Sequence, residues 1–371
     1  MTTMEDPMRR LSLVGAVAAT LISCGGGQSS VDNSVPPTGM AVQVFDTVPA
    51  LGEPLESVSD MALSHDYVNV LGWIAEDAAI YRVRKDGGKS TTVEANSSAF
   101  FLALAARNDT VVWLRSAFPV DGDAHPVQVV RQTGGDAPAL VAEVSIESLS
   151  TYLHPVQLGA DTLYMSARFG GVSGFYAVTL ESGAFRLVSA FRQFPYHTAY
   201  WLVAEPYIYF VEYSGSVAEN WDCRVRRVAI DGGTPEDVSA CPVNVIGNAN
   251  WFVGADETDL YMASFRSLWK IPQAGGAATM LYEGKDPNAI LDLGTSVLDG
   301  QRLYFGIGAQ SSQVKIPFNL MSIPKAGGAA TLIYNGPFVR DGIVQLEQDE
   351  SNLFMRSYNG VAFVAKSSPA P

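Results

Sequence analysis

The chain has little basic charge, and what it has is scattered. Lys and Arg number 24 against 38 Asp and Glu, which leaves a net charge of −14. An acidic surface repels phosphate backbones and anionic head groups, so nucleic acid and bare lipid surfaces are poor partners for it. Arg224, Arg226 and Arg227 are the exception to the scatter, and we interpret them as solvent-facing residues of one strand.

Familiar catalytic motifs are absent as well. The sequence has no Gly-x-Ser-x-Gly elbow, no His-Glu-x-x-His, no phosphate-cradling glycine loop and no EF-hand loop. It also lacks the Ser-x-Asp-x-Gly-x-x-Trp box of sialidase propellers. These absences weigh against those enzyme families, and the sequence predicts neither a cofactor nor a metal site.

The N-terminus has the organisation of an export signal. Arg9 and Arg10 precede an uncharged run, Leu11 to Ser23, which is shorter than the ~20 residues of a membrane-spanning helix and has the length of a secretory core region. Leu21-Ile22-Ser23-Cys24 resembles the lipobox of bacterial lipoproteins. The resemblance implies cleavage before Cys24 and lipidation of its thiol; the alternative is an ordinary signal peptide followed by a chance cysteine.

A polar, Gly/Ser/Pro-rich stretch follows the lipobox. We therefore predict a signal peptide at residues 1–23, a flexible tether at 24–39 and a single folded domain at 40–371. Residue 25 is Gly rather than Asp, which resembles lipoproteins passed on to the outer membrane. The expected location is the cell envelope, with the lipid on Cys24 holding the protein to the membrane.

A repeat fills the chain from about residue 60 onward. Each copy opens with a polar turn followed by apolar or aromatic residues, and one apolar residue per copy can be aligned. The aligned residues are separated by 43, 52, 45, 52, 43 and 50 positions. They are Val68, Val111, Leu163, Ile208, Leu260, Leu303 and Leu353.

Each copy also has a glycine turn between two alternating segments, most clearly in Leu268 to Gly276 and Leu320 to Gly328. Glycine suits tight hairpins because they need positive φ, and alternation of apolar and polar residues predicts strands. With the strand before each aligned residue, a copy of about 47 residues holds four strands, as a propeller blade does. The predicted fold is an all-β propeller of seven four-stranded blades.

The last copy ends before its fourth strand. An alternating segment at Val42 to Phe45 precedes the first copy and has no partner of its own. A ring closes when its terminal blades are joined. We therefore predict that Val42 to Phe45 supplies the outer strand of the seventh blade.

The repeat also carries a family resemblance. An apolar-Tyr-aromatic group followed by Leu/Ile-x-x-Ile-Pro-x-x-Gly-Gly resembles bacterial propellers related to the YWTD repeats of lipoprotein-receptor ectodomains, over residues 60–371. The Tyr-Trp-Thr-Asp tetrad itself is absent. Those receptor propellers have six blades, whereas the spacing here predicts seven.

Two of the three cysteines flank one hairpin. Cys223 and Cys241 are each nine positions from Gly232, so an antiparallel ladder places them opposite one another. Export supplies oxidising conditions, and we predict a disulfide. The alternative is two independent buried cysteines, which a slip of strand register would produce.

Six polar residues lead into the strands that precede the aligned residues. In a propeller such lead-ins gather at one mouth of the central channel, so they form a candidate site for a ligand or cation. The alternative is that they are solvated loop or turn-capping residues, and their spacing is not that of metal ligands. They are His154, His197, Asn248, Asn250, Asp292 and Asp341.

Longer loops are predicted in the second, fourth and sixth copies, at Arg115 to Pro126, Tyr213 to Trp221 and Gly306 to Gln313. We interpret the chain as a non-enzymatic binding or scaffolding lipoprotein whose propeller face holds a protein or glycan. The alternative is an envelope hydrolase or lyase with its site around His154 and His197. Propellers host both kinds of function, so the fold alone does not decide.

Overall fold

The alternating segments fold into short antiparallel strands in the computed structural model of the chain. All regular structure within the described ranges is β-strand. The structure describes residues 42–45, 47–48, 53–54, 57–74, 77–86, 90–95, 99–117, 121–149, 155–191, 200–214, 222–243, 250–284, 289–309, 319–334, 344–357 and 360–366.

The strands group into antiparallel units in which neighbours in sequence are neighbours in the sheet. Three strands, β1 (Val42–Phe45), β2 (Thr47–Val48) and β3 (Glu53–Pro54), precede the units. Unit 1 has β4 (Ser57–Leu63), β5 (Tyr67–Ile74), β6 (Asp77–Arg84) and β7 (Thr91–Ala95). Unit 2 has β8 (Phe100–Arg107), β9 (Thr110–Ser116), β10 (Asp121–Thr133) and β11 (Ala139–Leu149). Unit 3 has β12 (Val156–Leu158), β13 (Thr162–Phe169), β14 (Val172–Thr179) and β15 (Phe185–Ala190). The end of β11 also pairs with β13, which joins units 2 and 3 into one eight-stranded sheet.

The remaining units repeat this arrangement. Unit 4 has β16 (Trp201–Ala204), β17 (Tyr207–Ser214), β18 (Asp222–Ala229) and β19 (Glu236–Ala240). Unit 5 has β20 (Asn250–Ala255), β21 (Asp259–Ser264), β22 (Ser267–Pro272) and β23 (Thr279–Glu283). Unit 6 has β24 (Ala289–Leu298), β25 (Arg302–Ala309), β26 (Asn319–Pro324) and β27 (Thr331–Tyr334). Unit 7 has β28 (Gln345–Gln348), β29 (Asn352–Ser357) and β30 (Gly360–Ala365), and its fourth strand is β1.

The apolar core lies between the units. Among the described residues there are seven clusters of buried apolar side chains, and each combines two neighbouring units. In β17, Ile208 and Phe210 pack against unit 3, while Tyr209 and Val211 pack against unit 5. Successive side chains of a strand point to opposite faces of the sheet, so both faces of this unit are buried.

The first strands of successive units contact one another, and β28 of unit 7 also contacts β4 of unit 1. At that junction Met61 N donates to Gln345 Oε1 over 3.0 Å, and Gln345 Nε2 donates to the Met61 carbonyl over 2.6 Å. Phe354 and Val361 complete the apolar cluster of unit 1. These contacts join unit 7 to unit 1.

Units 1 to 6 carry a β-bulge at the same place between their third and fourth strands. The register shifts by one residue, which leaves one aliphatic residue of the fourth strand without an opposite partner. Bulges twist an outer edge and discourage pairing with other chains. The bulged residues are Val93, Val141, Val188, Val238, Leu281 and Ile333.

The strand predicted at Val42 to Phe45 is present as β1 and pairs with β30. Val42 lies opposite Phe363, and the register shifts between Gln43 and Phe45, so Val44 is the bulged residue. The shift occurs at the same step along the third strand as in units 1 to 6. An N-terminal strand thus has the register of a fourth strand in unit 7.

Glycines of the hairpins between third and fourth strands lie close to the preceding unit. Gly232 has φ +103°, and a Cβ there would lie 3.1 Å from the Val188 carbonyl oxygen. Gly275 has φ +94°, with the same distance to the Val238 carbonyl oxygen. Both carbonyls belong to bulged residues. Glycine is therefore favoured at these turns for two reasons: the backbone has positive φ, and a Cβ would lie too close to the neighbouring unit.

A charged contact links neighbouring units at the turns between first and second strands. Asp299 Oδ2 accepts hydrogen bonds from Tyr304 Oη over 2.8 Å and from Lys366 Nζ of unit 7 over 3.3 Å. Burial opposes ionisation of Asp299, but these contacts and two backbone amides hold its pKa below its usual range. Equivalent groups are Asp256 with Tyr261 and Lys325, and Asp349 with Phe354 and Lys85, the last joining unit 7 to unit 1.

Removing residues 1–46 is expected to destabilise the whole domain, because it exposes the backbone edge of β30 and separates the terminal units. The melting temperature should fall by about 10 °C or more relative to a chain that begins at residue 40. Circular dichroism and calorimetry measure this shift. An unchanged melting temperature would contradict a structural role for β1.

Candidate binding site

The two ends of each unit differ in their connections. Because consecutive strands are antiparallel, the first strand begins and the second ends at the same end of the sheet, which we call the loop end. At the opposite end, the turn end, first and second strands are joined by two or three residues, such as 205–206 and 299–301. At the loop end, second and third strands are joined by stretches that range from 170–171 to 310–318.

The longer connections fall in units 2, 4 and 6, at residues 117–120, 215–221 and 310–318. Residues 118–120, 215–221 and 310–318 lie outside the described residues, so the longer loops stay a prediction. The loop predicted at Arg115 to Pro126 is largely strand, and the first four residues of the one predicted at Gly306 to Gln313 belong to β25. β10 begins at Asp121 and pairs with β11 beyond the end of β9. Asp121-Gly122-Asp123 has the composition of a turn, and the register shift between Asp121 and His125 makes this part of β10 irregular.

Of the six candidate mouth residues, Asn250 is the one whose side chain is described. Asp292 lies in β24, where pairing with β25 jumps from Leu291 to Ser296, and its side chain lies outside the described part. The other four lie outside the described residues, as Cys24 does. They are His154, His197, Asn248 and Asp341, which precede β12, β16, β20 and β28 in the chain.

Asn250 is fully buried at the start of β20. Its Nδ2 donates to the Val243 carbonyl over 2.8 Å, and its backbone N donates to Tyr213 Oη over 3.4 Å. Its Oδ1 is buried without a hydrogen-bond partner among the described residues. The side chain therefore ties the start of β20 to the segment that follows the disulfide.

The predicted disulfide between Cys223 and Cys241 is confirmed, with a Cα–Cα distance of 5.3 Å. The residues are directly opposite, since Arg224 pairs with Ala240 and Cys241 N donates to the Cys223 carbonyl. The bulge at Val238 lies between the cysteines and the turn. The bond fastens the end of β19 at the loop end, before the chain crosses to unit 5.

Polar side chains also connect the first strands of neighbouring units, which the sequence analysis missed. Gln157 of β12 donates to the Trp201 carbonyl and accepts from Val203 N of β16, both over 2.8 Å. Asp60 of β4 accepts from Leu104 N of β8 over 3.0 Å. The reciprocal bonds of Gln345 to Met61 serve units 7 and 1. A lone Gln or Asp in a strand carries no sequence pattern that distinguishes this role.

A polar cluster occupies the junction of units 7 and 1. Arg356 is 7% exposed; it donates to Gln345 Oε1 over 2.9 Å and to the Val58 carbonyl over 2.5 Å. Gln345 Nε2 also donates to Glu347 Oε1 over 3.2 Å. Burial, with the nearby charge of Asp60, raises the pKa of Glu347 to about 7. Shifts of this kind occur at functional sites and in structural networks alike.

The three clustered arginines differ in exposure. Arg224 is exposed and pairs with Asp222 over 2.9 Å, as expected of a solvent-facing residue. Arg226 and Arg227 are wrongly predicted as solvent-facing, because both are partly buried in contacts with acidic side chains. Arg227 also lies 4.5 Å from the centre of the Tyr207 ring. Neighbouring units cover both faces of the strand, so the alternation of side chains along it does not show which of them face solvent.

Within the described ranges, no group of three His, Cys, Asp or Glu side chains is arranged to hold a metal ion. Nor does that part of the chain contain a helix with the length and apolar character needed to cross a membrane.

No family model matches the chain, and no curated protein sequence matches it. Its fold is similar to the β-propeller domain of the Trilobed protease from Pyrococcus furiosus, which is reported to have an open velcro topology. The TM-score is 0.59 at 10% identity, over 85% of this chain and 95% of that one. The likeness shows a β-propeller fold.

Two larger proteins contain a similar part. A prolyl endopeptidase aligns with a TM-score of 0.58 and 12% identity, over 81% of this chain and 45% of its own length. The acylaminoacyl peptidase of Pyrococcus horikoshii aligns with a TM-score of 0.55 and 12% identity, over 84% of this chain and 51% of its own. The chain thus spans about half the length of these two proteins.

Replacing Glu347 with Gln is expected to stabilise the domain at alkaline pH. A carboxyl whose pKa rises from 4.5 to about 7 on folding binds a proton more tightly in the folded state, so stability falls as pH rises from about 4.5 to 7. Glutamine keeps the side-chain oxygen that accepts a hydrogen bond from Gln345. Because glutamine does not ionise, the loss of stability with rising pH disappears. The gain in unfolding free energy should reach at most about 3 kcal/mol at pH 8 and vanish near pH 4.

Denaturant unfolding at several pH values measures the effect, and Glu350→Gln in the neighbouring exposed turn is the control. Equal pH dependence of the Glu347 variant and the wild type would contradict this account.

Proposed function

We propose that the chain closes into a seven-bladed propeller that is anchored by a lipid on Cys24 and binds a protein or glycan of the cell envelope. Three observations support the ring. An apolar cluster joins unit 7 to unit 1, Lys85 reaches Asp349 as Lys366 reaches Asp299, and β1 has the register of a fourth strand. The seven units then correspond to seven blades.

The difference between the two ends of the units carries the binding proposal. The turn end is built from short, repeated turns, whereas long and dissimilar connections lie at the loop end. Binding residues concentrate where such connections leave a rigid scaffold. In a closed ring the loop ends of all units share one face, and that face takes the partner.

The candidate mouth residues belong to this proposal by their chain positions. His154, His197, Asn248 and Asp341 lie in connections that lead from a fourth strand to the next first strand, and these connections reach the loop end. A site there would combine many modest hydrogen bonds. Histidine protonation would weaken binding at such a site near pH 6.

Shortening the long loops is expected to abolish partner binding without unfolding the domain. The first two variants replace residues 215–221 and 310–318 by the Gly-Gly turn that joins β13 to β14. A control variant, Asp136→Asn, changes an exposed residue at the turn end. Cross-linking in cells followed by mass spectrometry reports protein partners, and a glycan array reports carbohydrates.

Loss of a specific partner from both loop variants, with melting temperatures and control binding unchanged, is the expected result. If the loop variants and the wild type capture the same partners, the loop end is not the binding face. If the control variant alone loses the partner, the turn end is the binding face.

The anchor is tested separately. Cys24→Ser is expected to release the protein into the soluble fraction or to block processing, because the lipobox cysteine is the acceptor of the lipid. Detergent partitioning measures the first outcome and mass spectrometry of the mature N-terminus the second. A mature wild-type protein with an unmodified N-terminus at another residue would show that the lipobox resemblance misleads.

A further inference from the structure

A cavity of about 340 Å³ lies between units 3 and 4, which is within the range of small-ligand sites. Unit 3 lines it with the outer strand β15, and unit 4 lines it with β17, β18 and the hairpin that follows β18. It runs along the junction of the two units, since its hairpin residues belong to the turn end while Phe191 follows the end of β15 at the loop end. None of its lining residues was singled out as a candidate by the sequence.

One part of the cavity is apolar. Val188 and Phe191 lie on the unit 3 side, and Phe210 and Pro235 lie on the unit 4 side. The ring centres of Phe191 and Phe210 are 6.5 Å apart, with the planes inclined by 48°. Two aromatic rings and an aliphatic side chain make a wall that suits an apolar or aromatic body.

The other part is charged. Arg226 Nη1 donates to Glu212 Oε2 over 2.6 Å, and Nη2 donates to the Pro235 carbonyl over 3.0 Å. Arg226 Nε lies 2.8 Å from Asp237 Oδ1. Two nitrogens of the guanidinium therefore already donate to acceptors within this chain, while Nε lies within ion-pair distance of Asp237 but makes no hydrogen bond among the described residues.

The charge balance selects the ligand. The two charged residues of the lining, Glu212 and Arg226, cancel, and the exposed Asp237 beside Arg226, which does not itself line the cavity, adds one negative charge nearby. Glu212 Oε1 has no hydrogen-bond partner among the described residues. A donor or cation can take this oxygen, whereas an anion would have to displace an acceptor of Arg226. Partial burial strengthens such an interaction relative to bulk water. The acidic net charge of the chain acts in the same direction.

We propose that the cavity between units 3 and 4 binds an organic cation that joins an ammonium or guanidinium group to an apolar body. The cation pairs with Glu212, and the apolar body packs against Phe191 and Phe210. Such a group occurs in a free aromatic amine and at the end of a basic side chain beside an apolar residue in a peptide. The experiment separates these two sources.

Three probes of similar shape but different charge test whether the cavity of the wild-type domain prefers a cation. Isothermal titration or NMR shift mapping measures binding of 2-phenylethylammonium, 2-phenylethanol and phenylacetate. The ammonium is expected to bind with a dissociation constant of about 1 mM, as suits so small a ligand. The alcohol should bind at least tenfold more weakly and phenylacetate not at all. Comparable affinity for all three, or no binding of the ammonium at 10 mM, overturns the proposal.

Variants then locate the site. Glu212→Gln should weaken the ammonium at least tenfold, and Thr234→Trp, at the exposed edge of the cavity, should block both ammonium and alcohol. Glu236→Gln is the matched control, because it removes a carboxylate from the pair with Arg227 on the same sheet, outside the cavity. Melting curves establish that each variant folds. Unchanged affinity in folded Glu212→Gln and Thr234→Trp overturns the assignment to this cavity.

The peptide acetyl-Phe-Arg-amide distinguishes the two sources. Binding at least tenfold tighter than the ammonium, and lost in Glu212→Gln, assigns the site to a basic side chain of a peptide. Weaker binding than the ammonium assigns it to a free amine. Since the probe series uses the soluble domain without the lipid, its outcome is independent of the loop-end proposal.

Discussion

Each four-stranded unit has two apolar faces and cannot bury either within itself. β17 illustrates the constraint, because Ile208 and Tyr209 are neighbours in sequence and are both fully buried in cores shared with different units. A unit therefore depends on the one before it and the one after it. The same demand applies to units 1 and 7, whose free faces meet in the cluster that includes Phe354 and Val361.

Packing two sheets face to face leaves polar groups at the inner edges that must be satisfied. An unpaired buried amide or carbonyl costs about 1–3 kcal/mol, and side chains such as Gln157 and Gln345 provide partners across the junctions. At units 7 and 1 this polar network includes Arg356 and Glu347. Burial raises the pKa of the Glu347 carboxyl, so ionisation of this group destabilises the junction of units 7 and 1.

Repeated stabilising contacts lie at the turn end of the units, and connections of differing length lie at the loop end. Hairpin glycines, turn aspartates and lysines of the next unit repeat around the turn end, and they hold consecutive units at fixed spacing. At the loop end, the connections between second and third strands range in length from two residues at 170–171 to nine at 310–318. The cavity between units 3 and 4 arises differently, where the charged pair of Glu212 and Arg226 replaces apolar packing in an otherwise shared core.

The sequence by itself determined the features that recur locally. Alternation predicted the strands, glycine predicted the hairpins, and equal spacing from Gly232 predicted the pairing of Cys223 with Cys241. The bulge at Val238, which no pattern predicted, completes that register, because without it Cys223 would lie opposite Ala240. The predicted strand at Val42 to Phe45 also rests on alternation. Only the tertiary structure decided which unit faces each residue: the contacts of Gln345, the burial of Arg226 and the cavity beside it. Gln345 contacts Met61, 284 positions away, whereas Arg226 contacts residues within 14 positions but lies beside the gap between two sheets. A local pattern contains no information about which sheet packs against a strand.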